Sequence, residues 1–153
     1  MAKSCVFCDI VKGKTQADKI YEDSTVLAIL HKNSYTEGHT IIMTKKHYRS
    51  IFDIEENDLE HLMEVAKKLA EFYRKELRCE GVDIMHASGK AAGQNVQHFH
   101  IHLVPRYKTD GLGELWHKQG DFCVNNFLIR GRLLTSKYFK TLGKENLVKP
   151  IKQ

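Results

Sequence analysis

The chain has 153 residues, 42% of them apolar, which suits one compact domain with a core of ordinary size. Its longest uninterrupted apolar run, Val26 to Leu30, is far shorter than the roughly 20 residues that a membrane-spanning helix needs. No basic-then-apolar leader is evident, so we expect a cytoplasmic protein with no membrane partner. The net charge of +5 is concentrated in residues 129–153, which hold seven Lys or Arg against one acid. Most short basic segments are simply solvated, and a nucleic-acid partner is not expected.

The cysteines indicate a metal or redox pair. Cys5 and Cys8 are separated by two residues, a recognisable spacing. With no secretory signal, a disulfide framework is the weaker explanation. Cys79 and Cys123 have no partner at such a spacing, and we interpret them as ordinary packed or surface residues.

Two short segments early in the chain predict strands. Residues 25–30 (TVLAIL) and 40–44 (TIIMT) are apolar and rich in β-branched side chains. The Glu37-Gly38 pair between them is typical of a turn. Both segments are therefore predicted to lie in one sheet.

A long amphipathic helix is predicted to follow. Asp53 has the character of an N-cap, and Glu56 three residues later completes an Asp version of the capping box. Apolar side chains then recur at spacings of three and four through Tyr73, with charged side chains on the opposite side. We expect this helix to end near Leu77 and to cover one face of the sheet.

Residues 82–87 and 96–104 are two further strand candidates, separated by the segment SGKAAG. Several strands around one dominant helix predict an α+β fold with an antiparallel sheet. No internal repeat and no flexible linker divides the chain, which favours one continuous unit.

Three histidines alternate with apolar residues along the last predicted strand. Positions 98, 100 and 102 are His, whereas 99, 101 and 103 are Phe, Ile and Leu. A period of two predicts a strand whose apolar residues face the core and whose imidazoles form a row on the other face. The simplest alternative is that the histidine face of the strand is exposed to solvent and has no function.

Two kinds of chemistry use such a row. Two imidazoles at i and i+2 can bind Zn²⁺ together with a third ligand, leaving an open position. Alternatively, one imidazole attacks phosphorus and forms a phosphoramidate intermediate, while its neighbours hold phosphate oxygens or protonate the leaving group. Imidazole suits the second role because its ordinary pKa of about 6.5 leaves it largely neutral near pH 7.

The surrounding sequence resembles the histidine triad (HIT) family. Residues 93–104 (GQNVQHFHIHLV) are similar to the family signature His-φ-His-φ-His-φ-φ with its preceding Ala-Gly-Gln. Residues 38–47 (GHTIIMTKKH) are similar to a second family segment, with Thr44 where proline is usual. Residues 5–10 and 21–23 resemble the start of the branch that carries a CxxC pair. The resemblance covers roughly residues 5–106.

The resemblance implies a nucleotidyl hydrolase or transferase, with a sheet of about five strands, one long helix and a homodimeric assembly. It makes His100 the nucleophile that accepts a nucleotidyl group, with His102 and His39 beside it on the phosphate side. The substrate would be a purine nucleotide, as a nucleoside phosphoramidate or a dinucleoside polyphosphate. The transferase branch carries glutamine where this chain has His102, which favours hydrolysis.

The resemblance also implies substrate-binding residues. Gly93 and Asn95 occupy positions where the family brings backbone N–H groups and a short polar side chain to the phosphate. Gln94 matches a glutamine that reaches the bridging or leaving oxygen, although a purely local hydrogen-bonding role is an open alternative. His31 stands where the family usually has an Asp or Asn that binds the ribose, and Ala87 replaces a frequent Asn. These two departures leave the nucleoside half of the site open.

In similar CxxC members, four residues hold a zinc ion. They correspond here to Cys5, Cys8, His47 and His98. With four ligands the site would be closed, so zinc would be structural and would hold the N-terminal loop against the catalytic strand.

The predicted organisation is a HIT-like catalytic domain at residues 1–112 and a C-terminal arm with a basic tail at 113–153. Trp116 in this arm packs either on its own subunit or over a partner's site. Two other functions compete with the hydrolase: a nucleotide-binding interaction protein with incidental turnover, and a metallohydrolase that uses the histidine row as zinc ligands.

Overall fold

The computed structural model describes residues 5–113, which form an α+β unit with one five-stranded antiparallel sheet. The strands lie in the order β1-β2-β3-β5-β4, so the predicted fold class is confirmed. A single-turn 3₁₀ helix at Lys90–Ala92 interrupts the connection between the last two strands. The other elements in chain order are α1 (Val6–Val11), β1 (Lys19–Glu22), β2 (Val26–Leu30), β3 (Thr40–Thr44), α2 (Glu56–Glu76), β4 (Gly81–Met85) and β5 (His100–Arg106).

Helix α2 covers one face of the sheet, as its amphipathic pattern predicts. Its buried side chains share a core with the apolar residues that alternate with the histidines in and just before β5. Phe99, Ile101 and Leu103 are all nearly inaccessible to solvent and belong to this core. The predicted alternation is therefore confirmed for the apolar positions.

The short helix α1, which the sequence did not predict, packs on the opposite face of the sheet. Phe7 and Ile10 lie there against Leu27, Ile29, Ile41 and Met43. Strands β2 and β3 are buried on both faces, which explains their nearly continuous apolar sequences. In the register of β3 and β5, Met43 lies opposite His100 and Ile41 opposite His102, so these histidines share the α1 face.

The predicted start of helix α2 at Asp53 is wrong. The helix begins at Glu56, and its N-cap residue, Glu55, makes no side-chain capping bond. The Asp53 carboxylate instead accepts hydrogen bonds from the backbone N–H groups of Arg49 and Ser50, both at 2.7 Å. Asp side chains commonly bond to nearby backbone in this way, and here the bond closes a turn before the helix.

The last strand begins later than predicted. It spans His100–Arg106 rather than 96–104, so His98 lies just before it. The backbone N–H of His98 bonds back to the carbonyl of Val96, and that of Phe99 bonds to the carbonyl of Tyr48. The backbone N–H groups of His98 and Phe99 therefore bond to loop carbonyls, and strand pairing begins only at His100. Strand β4 likewise ends at Met85, two residues before the predicted end.

No helix among residues 5–113 combines the length and apolar character needed to cross a membrane. The predicted C-terminal arm and basic tail, with Trp116 and Cys123, fall outside the described residues. Within them, Leu112 is buried and packs against Val104.

Candidate active site and metal centre

His100, the middle residue of the row, is fixed by a hydrogen bond to the main chain. Its Nδ1 lies 2.7 Å from the carbonyl oxygen of His98. A carbonyl can only accept, so Nδ1 carries the proton and Nε2 carries a free lone pair. The edge of the Phe7 ring packs against the imidazole with 5.0 Å between ring centroids. Backbone and aromatic contacts together hold one tautomer and one orientation of a buried imidazole.

The surroundings of His100 keep it neutral. Burial lowers the pKa of the imidazole below its ordinary value, against the opposing effect of the bond to the His98 carbonyl. The neighbouring His86 and His31 lower the pKa further. Near pH 7 the Nε2 lone pair is therefore available for attack on an electrophile.

His39 and His102 are joined by a ring-to-ring hydrogen bond. The backbone N–H of Tyr35 donates to His39 Nδ1 at 3.2 Å, so the His39 proton lies on Nε2. That Nε2–H points to His102 Nδ1 at 2.9 Å. His102 must then carry its own proton on Nε2. The chain of bonds therefore prepares His102 to donate a hydrogen bond through that nitrogen.

Both members of this pair are neutral in the folded protein. Burial lowers the pKa of His39 to about 2, and the charges that His31 and His102 would carry add to the effect. Burial, with His100 as the next contribution, lowers the pKa of His102 to about 3. A hydrogen bond donated by His102 near pH 7 is therefore that of a neutral imidazole.

His31 lies in the same cluster, at the end of β2. Its ring is stacked on that of His39 with 4.4 Å between centroids and an interplanar angle of 3°. Its backbone N–H bonds to the His39 carbonyl, and its Nδ1 accepts from the N–H of Asn33 at 3.0 Å. The structure thus brings the predicted substrate residue His31 together with His39 and His102.

The predicted phosphate loop, residues 93–95, lies before β5. Gly93 has a φ of +83°, a conformation that strongly favours glycine. Asn95 is exposed. The Gln94 carboxamide is buried, accepts the Gly89 N–H at 2.7 Å and donates to the carbonyls of Arg49 and Val96. These three contacts agree with the alternative that Gln94 only forms hydrogen bonds within its own loop. Contact between Gln94 and substrate stays a prediction.

Sequence reasoning missed His86. Its Nδ1–H donates to the backbone carbonyl of His100 at 2.7 Å, and its Nε2 accepts from the Ser88 hydroxyl at 2.6 Å. Ser88 in turn accepts the backbone N–H of Ile51. His86 thus ties the backbone of His100 to the loop that follows β4. His86 lay inside the predicted strand 82–87 and directly follows the observed β4, and because it is close to the histidine row in the fold but distant in sequence, it gave no local signal.

A second cluster brings together the four predicted zinc ligands. Cys8 lies three residues after Cys5, so the two thiols share one side of α1. The Sγ atoms of Cys5 and Cys8 lie 3.4 and 3.6 Å from His98 Nδ1. His47 Nδ1 lies 3.2 Å from Cys8 Sγ and 3.3 Å from His98 Nδ1.

This donor set fits zinc. Tetrahedral bonds of ordinary length place neighbouring N and S ligand atoms about 3.3–3.6 Å apart, which matches the observed separations. His98 Nε2–H donates to the Thr44 carbonyl at 2.7 Å, so Nδ1 is the free ligand atom. The His47 and His98 rings meet at 89°, and their lone pairs can converge on one point.

The other histidine cluster does not converge in this way. Ring nitrogens of His31, His39 and His102 all lie within 4.8 Å of one another, close enough to suggest a metal site. However, imidazole binds a metal in its own plane, and the stacked rings of His31 and His39 have parallel planes. Their lone pairs therefore do not meet, and the cluster is arranged for hydrogen bonding.

Comparison with known proteins identifies the family. The family model described as HIT domain matches residues 12–109, well over half of the chain. The chain belongs to the HIT family. A relative in Bacillus subtilis named Protein hit is 35% identical over 121 residues, which cover 78% of this chain and 83% of that protein.

Solved HIT structures share the fold. A zinc-bound histidine triad family protein from Mycobacterium smegmatis is 34% identical, with a TM-score of 0.77 over 91% of this chain and 95% of its own. A HIT family hydrolase from Legionella pneumophila is 30% identical, with a TM-score of 0.62 over 69% of this chain and 95% of its own. Zinc in the first of these proteins agrees with the Cys5, Cys8, His47 and His98 cluster of this HIT chain.

Proposed function

We propose that this chain is a nucleotidyl hydrolase that works through a covalent nucleotidyl-histidine intermediate on His100. The observation that carries the proposal is the bond from His100 Nδ1–H to the His98 carbonyl, which leaves the Nε2 lone pair on a neutral, buried imidazole. The substrate is a purine nucleotide whose α-phosphorus bears a nitrogen or phosphate leaving group. The Legionella neighbour described as a hydrolase supports the reaction class.

In the first step, His100 Nε2 attacks the α-phosphorus. A P–N bond to the imidazole forms, and the bond from phosphorus to the leaving group breaks with its electron pair on that group, which takes up one proton from solvent when it leaves as ammonia. His102, with its Nε2–H held in place by His39, donates a hydrogen bond to a phosphate oxygen and stabilises charge as it develops. In the Gly93–Asn95 segment, the N–H groups of Gly93 and Gln94 already bond to the carbonyls of Lys90 and Gly89, so Asn95 is the proposed phosphate contact of this segment.

In the second step, water attacks the same phosphorus. The P–N bond breaks, the electron pair returns to His100 Nε2, the water gives one proton to solvent, and the nucleoside monophosphate leaves. The enzyme returns to its starting tautomer because the His98 carbonyl holds the Nδ1 proton throughout. His86 braces the His100 backbone during both steps.

Zinc in this proposal is structural. Cys5, Cys8, His47 and His98 would hold the ion, which when bound supplies four-coordinate cross-linking between α1, the segment after β3 and the approach to β5. Because the His98 carbonyl accepts the hydrogen bond from His100 Nδ1–H, zinc bound to His98 would also help to fix the orientation of the His100 ring. The metallohydrolase alternative has less support, because the stacked His31 and His39 rings do not converge on an ion.

A nucleotide-binding protein with incidental turnover remains the second candidate. The observation that favours it is His31, which stacks on His39 where the family usually presents a carboxylate or amide to the ribose. This candidate predicts AMP affinity without efficient turnover. The homodimer, the purine preference and the cytoplasmic location stay predictions.

Intact-protein mass after brief mixing with adenosine 5′-phosphoramidate or a diadenosine polyphosphate tests the proposal. The quench should be denaturing and alkaline, because P–N bonds to imidazole are labile in acid. We expect a mass increase of one AMP group in the wild type and none in His100→Ala. Turnover without this adduct at any mixing time, or equal turnover by His100→Ala, would overturn the covalent mechanism.

A further inference from the structure

The thiols of Cys5 and Cys8 are accessible to small solutes. Both residues are half-buried, whereas Cys79, the other cysteine among residues 5–113, is only 4% exposed. The contact between Cys8 Sγ and the exposed His47 ring lies at the surface. The Sγ atoms of Cys5 and Cys8 lie within 4.8 Å of each other. A small molecule that reaches one of these sulfur atoms therefore finds the other beside it.

The backbone between the two cysteines allows a disulfide. Cys5 is the N-cap residue of α1, and its carbonyl accepts the N–H of Asp9 at 3.0 Å, so the turn that holds both cysteines is helical. Two Cα atoms three residues apart in a helix are separated by about 5 Å, within the roughly 4.4–6.8 Å that disulfides span. Rotation of the two side chains can therefore join the sulfur atoms while α1 stays folded.

Metal binding and disulfide formation compete for the same two sulfur atoms. A cysteine binds zinc as the thiolate, and the thiolate is also the form that peroxides oxidise. Zinc, when bound, would hold Cys5 and Cys8 in this form. A disulfide would leave only His47 and His98 of the four-residue cluster as ligands. Two imidazoles are too few for a closed, four-coordinate zinc site.

We propose that Cys5 and Cys8 form an oxidation site at which hydrogen peroxide makes a disulfide and the proposed zinc is released. In the first step one thiolate attacks a peroxide oxygen. The O–O bond breaks, hydroxide leaves, and the sulfur, now oxidised by two electrons, is a sulfenic acid. In the second step the other thiolate attacks this sulfur, the S–S bond forms and a second hydroxide leaves. A dithiol reductant reverses the change by thiol–disulfide exchange.

Helix α1 connects this oxidation site to His100. Phe7, which lies between the two cysteines, packs edge-on against the rings of His98 and His100, with 5.8 and 5.0 Å between centroids. The His98 carbonyl accepts the hydrogen bond from His100 Nδ1–H. Loss of zinc would free His98 Nδ1 and leave its ring held by the bond to the Thr44 carbonyl. The oxidation needs only the thiols, whereas a consequence for turnover rests on the proposed hydrolase function.

Intact-protein mass and metal analysis of the zinc-loaded full chain test the oxidation site. Cys123→Ser serves as the background, because Cys123 is a further thiol in the sequence. Hydrogen peroxide should release one zinc per chain and lower the mass by about 2 Da, the two hydrogens lost in a disulfide. Peptide mapping should place the disulfide between Cys5 and Cys8. Dithiothreitol with added zinc should restore both the mass and the metal.

Single substitutions separate the two steps. Cys5→Ser and Cys8→Ser should each stop at the sulfenic acid, which dimedone traps, and should form no disulfide. Cys79→Ala is the matched control and should respond as the background does, since this thiol is buried outside the cluster. Zinc that stays bound while peroxide oxidises an equal amount of free cysteine would overturn the proposal. A disulfide that involves Cys79, or oxygen gained by both sulfur atoms without a disulfide, would also overturn it.

Turnover of adenosine 5′-phosphoramidate tests the connection to His100. It should fall when the Cys5–Cys8 disulfide forms and return with reductant and zinc. Unchanged turnover in the oxidised, zinc-free chain would overturn this connection. If the reduced, zinc-loaded chain turns over no nucleotide substrate, the proposed hydrolase fails, and the mass and zinc measurements alone decide the oxidation site.

Discussion

Two imidazole clusters lie along the same pair of strands, and their geometries differ. In the Cys5, Cys8, His47 and His98 cluster, the proposed zinc site, the two imidazole rings meet at 89°, whereas in the proposed catalytic cluster His31 and His39 are stacked at 3°. Perpendicular rings can direct their lone pairs to one ion. Stacked rings cannot, and here His39 donates its Nε2–H to His102 Nδ1 instead.

Main-chain carbonyls determine which ring nitrogen of His98 and of His100 is free. His98 donates its Nε2–H to the Thr44 carbonyl and leaves Nδ1 for a metal. His100 donates its Nδ1–H to the His98 carbonyl and leaves Nε2 for attack. Two histidines separated by one residue therefore present opposite nitrogens. The proposed ligand and the proposed nucleophile therefore differ in which ring nitrogen the backbone occupies.

The largest effect should come from removing the proposed nucleophile, His100. His100→Ala should lower turnover of diadenosine tetraphosphate by at least about 10⁴-fold, as is typical when a covalent nucleophile is lost. Metal content, measured by mass spectrometry, should be unchanged because Nδ1 of His98 does not depend on the His100 ring. Loss of zinc together with activity would show that the two clusters are not separate.

The converse experiment removes the thiols. Cys5→Ser with Cys8→Ser should abolish zinc binding and lower the free energy of unfolding by about 4 kcal/mol, the value for an ion present at a thousand times its Kd. Urea unfolding with metal analysis measures both effects. Cys79→Ala is the matched control, since this buried thiol lies outside the cluster and its loss should leave zinc bound.

A smaller effect should follow from breaking the ring-to-ring bond. His39→Ala should lower kcat about 10²-fold, because His102 then loses the donor that fixes its tautomer. His39→Gln keeps an N–H that can reach His102 Nδ1, and it should recover part of the loss. Equal rates for the two variants would contradict the tautomer argument. Zinc content should not change in either.

The smallest effect concerns a histidine that belongs to neither cluster. His61 donates to Asp23 at 2.7 Å, and Asp23 also accepts from Tyr21 and from the N–H groups of Thr25 and Val26. Asp23→Asn should destabilise the fold by about 1–2 kcal/mol, because an amide cannot accept all of these bonds. Turnover and zinc content should stay at wild-type values.

The stability lost in Asp23→Asn should depend on pH in a definite direction. Burial raises the pKa of Asp23, but the hydrogen bonds from Val26, His61 and Thr25 outweigh it and the pKa lies below its ordinary value. The carboxylate therefore contributes stability above pH 4, about its ordinary pKa, and loses it as the pH falls through the lower folded pKa. Unfolding measured from pH 7 to pH 3 should show wild type and Asp23→Asn converging in acid.

Local sequence predicted the elements with strong periodicity. The pattern of α2 and the alternation around β5 follow from burying one face of a helix or strand, so they are visible in the sequence. Helix α1 has only six residues, too few for a periodic pattern, and its position depends on Phe7 and Ile10 packing on distant strands. The predicted start of α2 at Asp53 is wrong because the Asp53 carboxylate accepts hydrogen bonds from the preceding turn, not from the first turn of the helix.

The sequence by itself determined the family and the strand that carries His100 and His102, because alternation and motif spacing are local properties. Only the tertiary structure decided which nitrogen of His98 and of His100 is free, since their acceptors are main-chain carbonyls set by the folded backbone. It also decided that the imidazoles form two sites, one convergent and one stacked. Such roles depend on ring orientation, and orientation is established only when the strands pack.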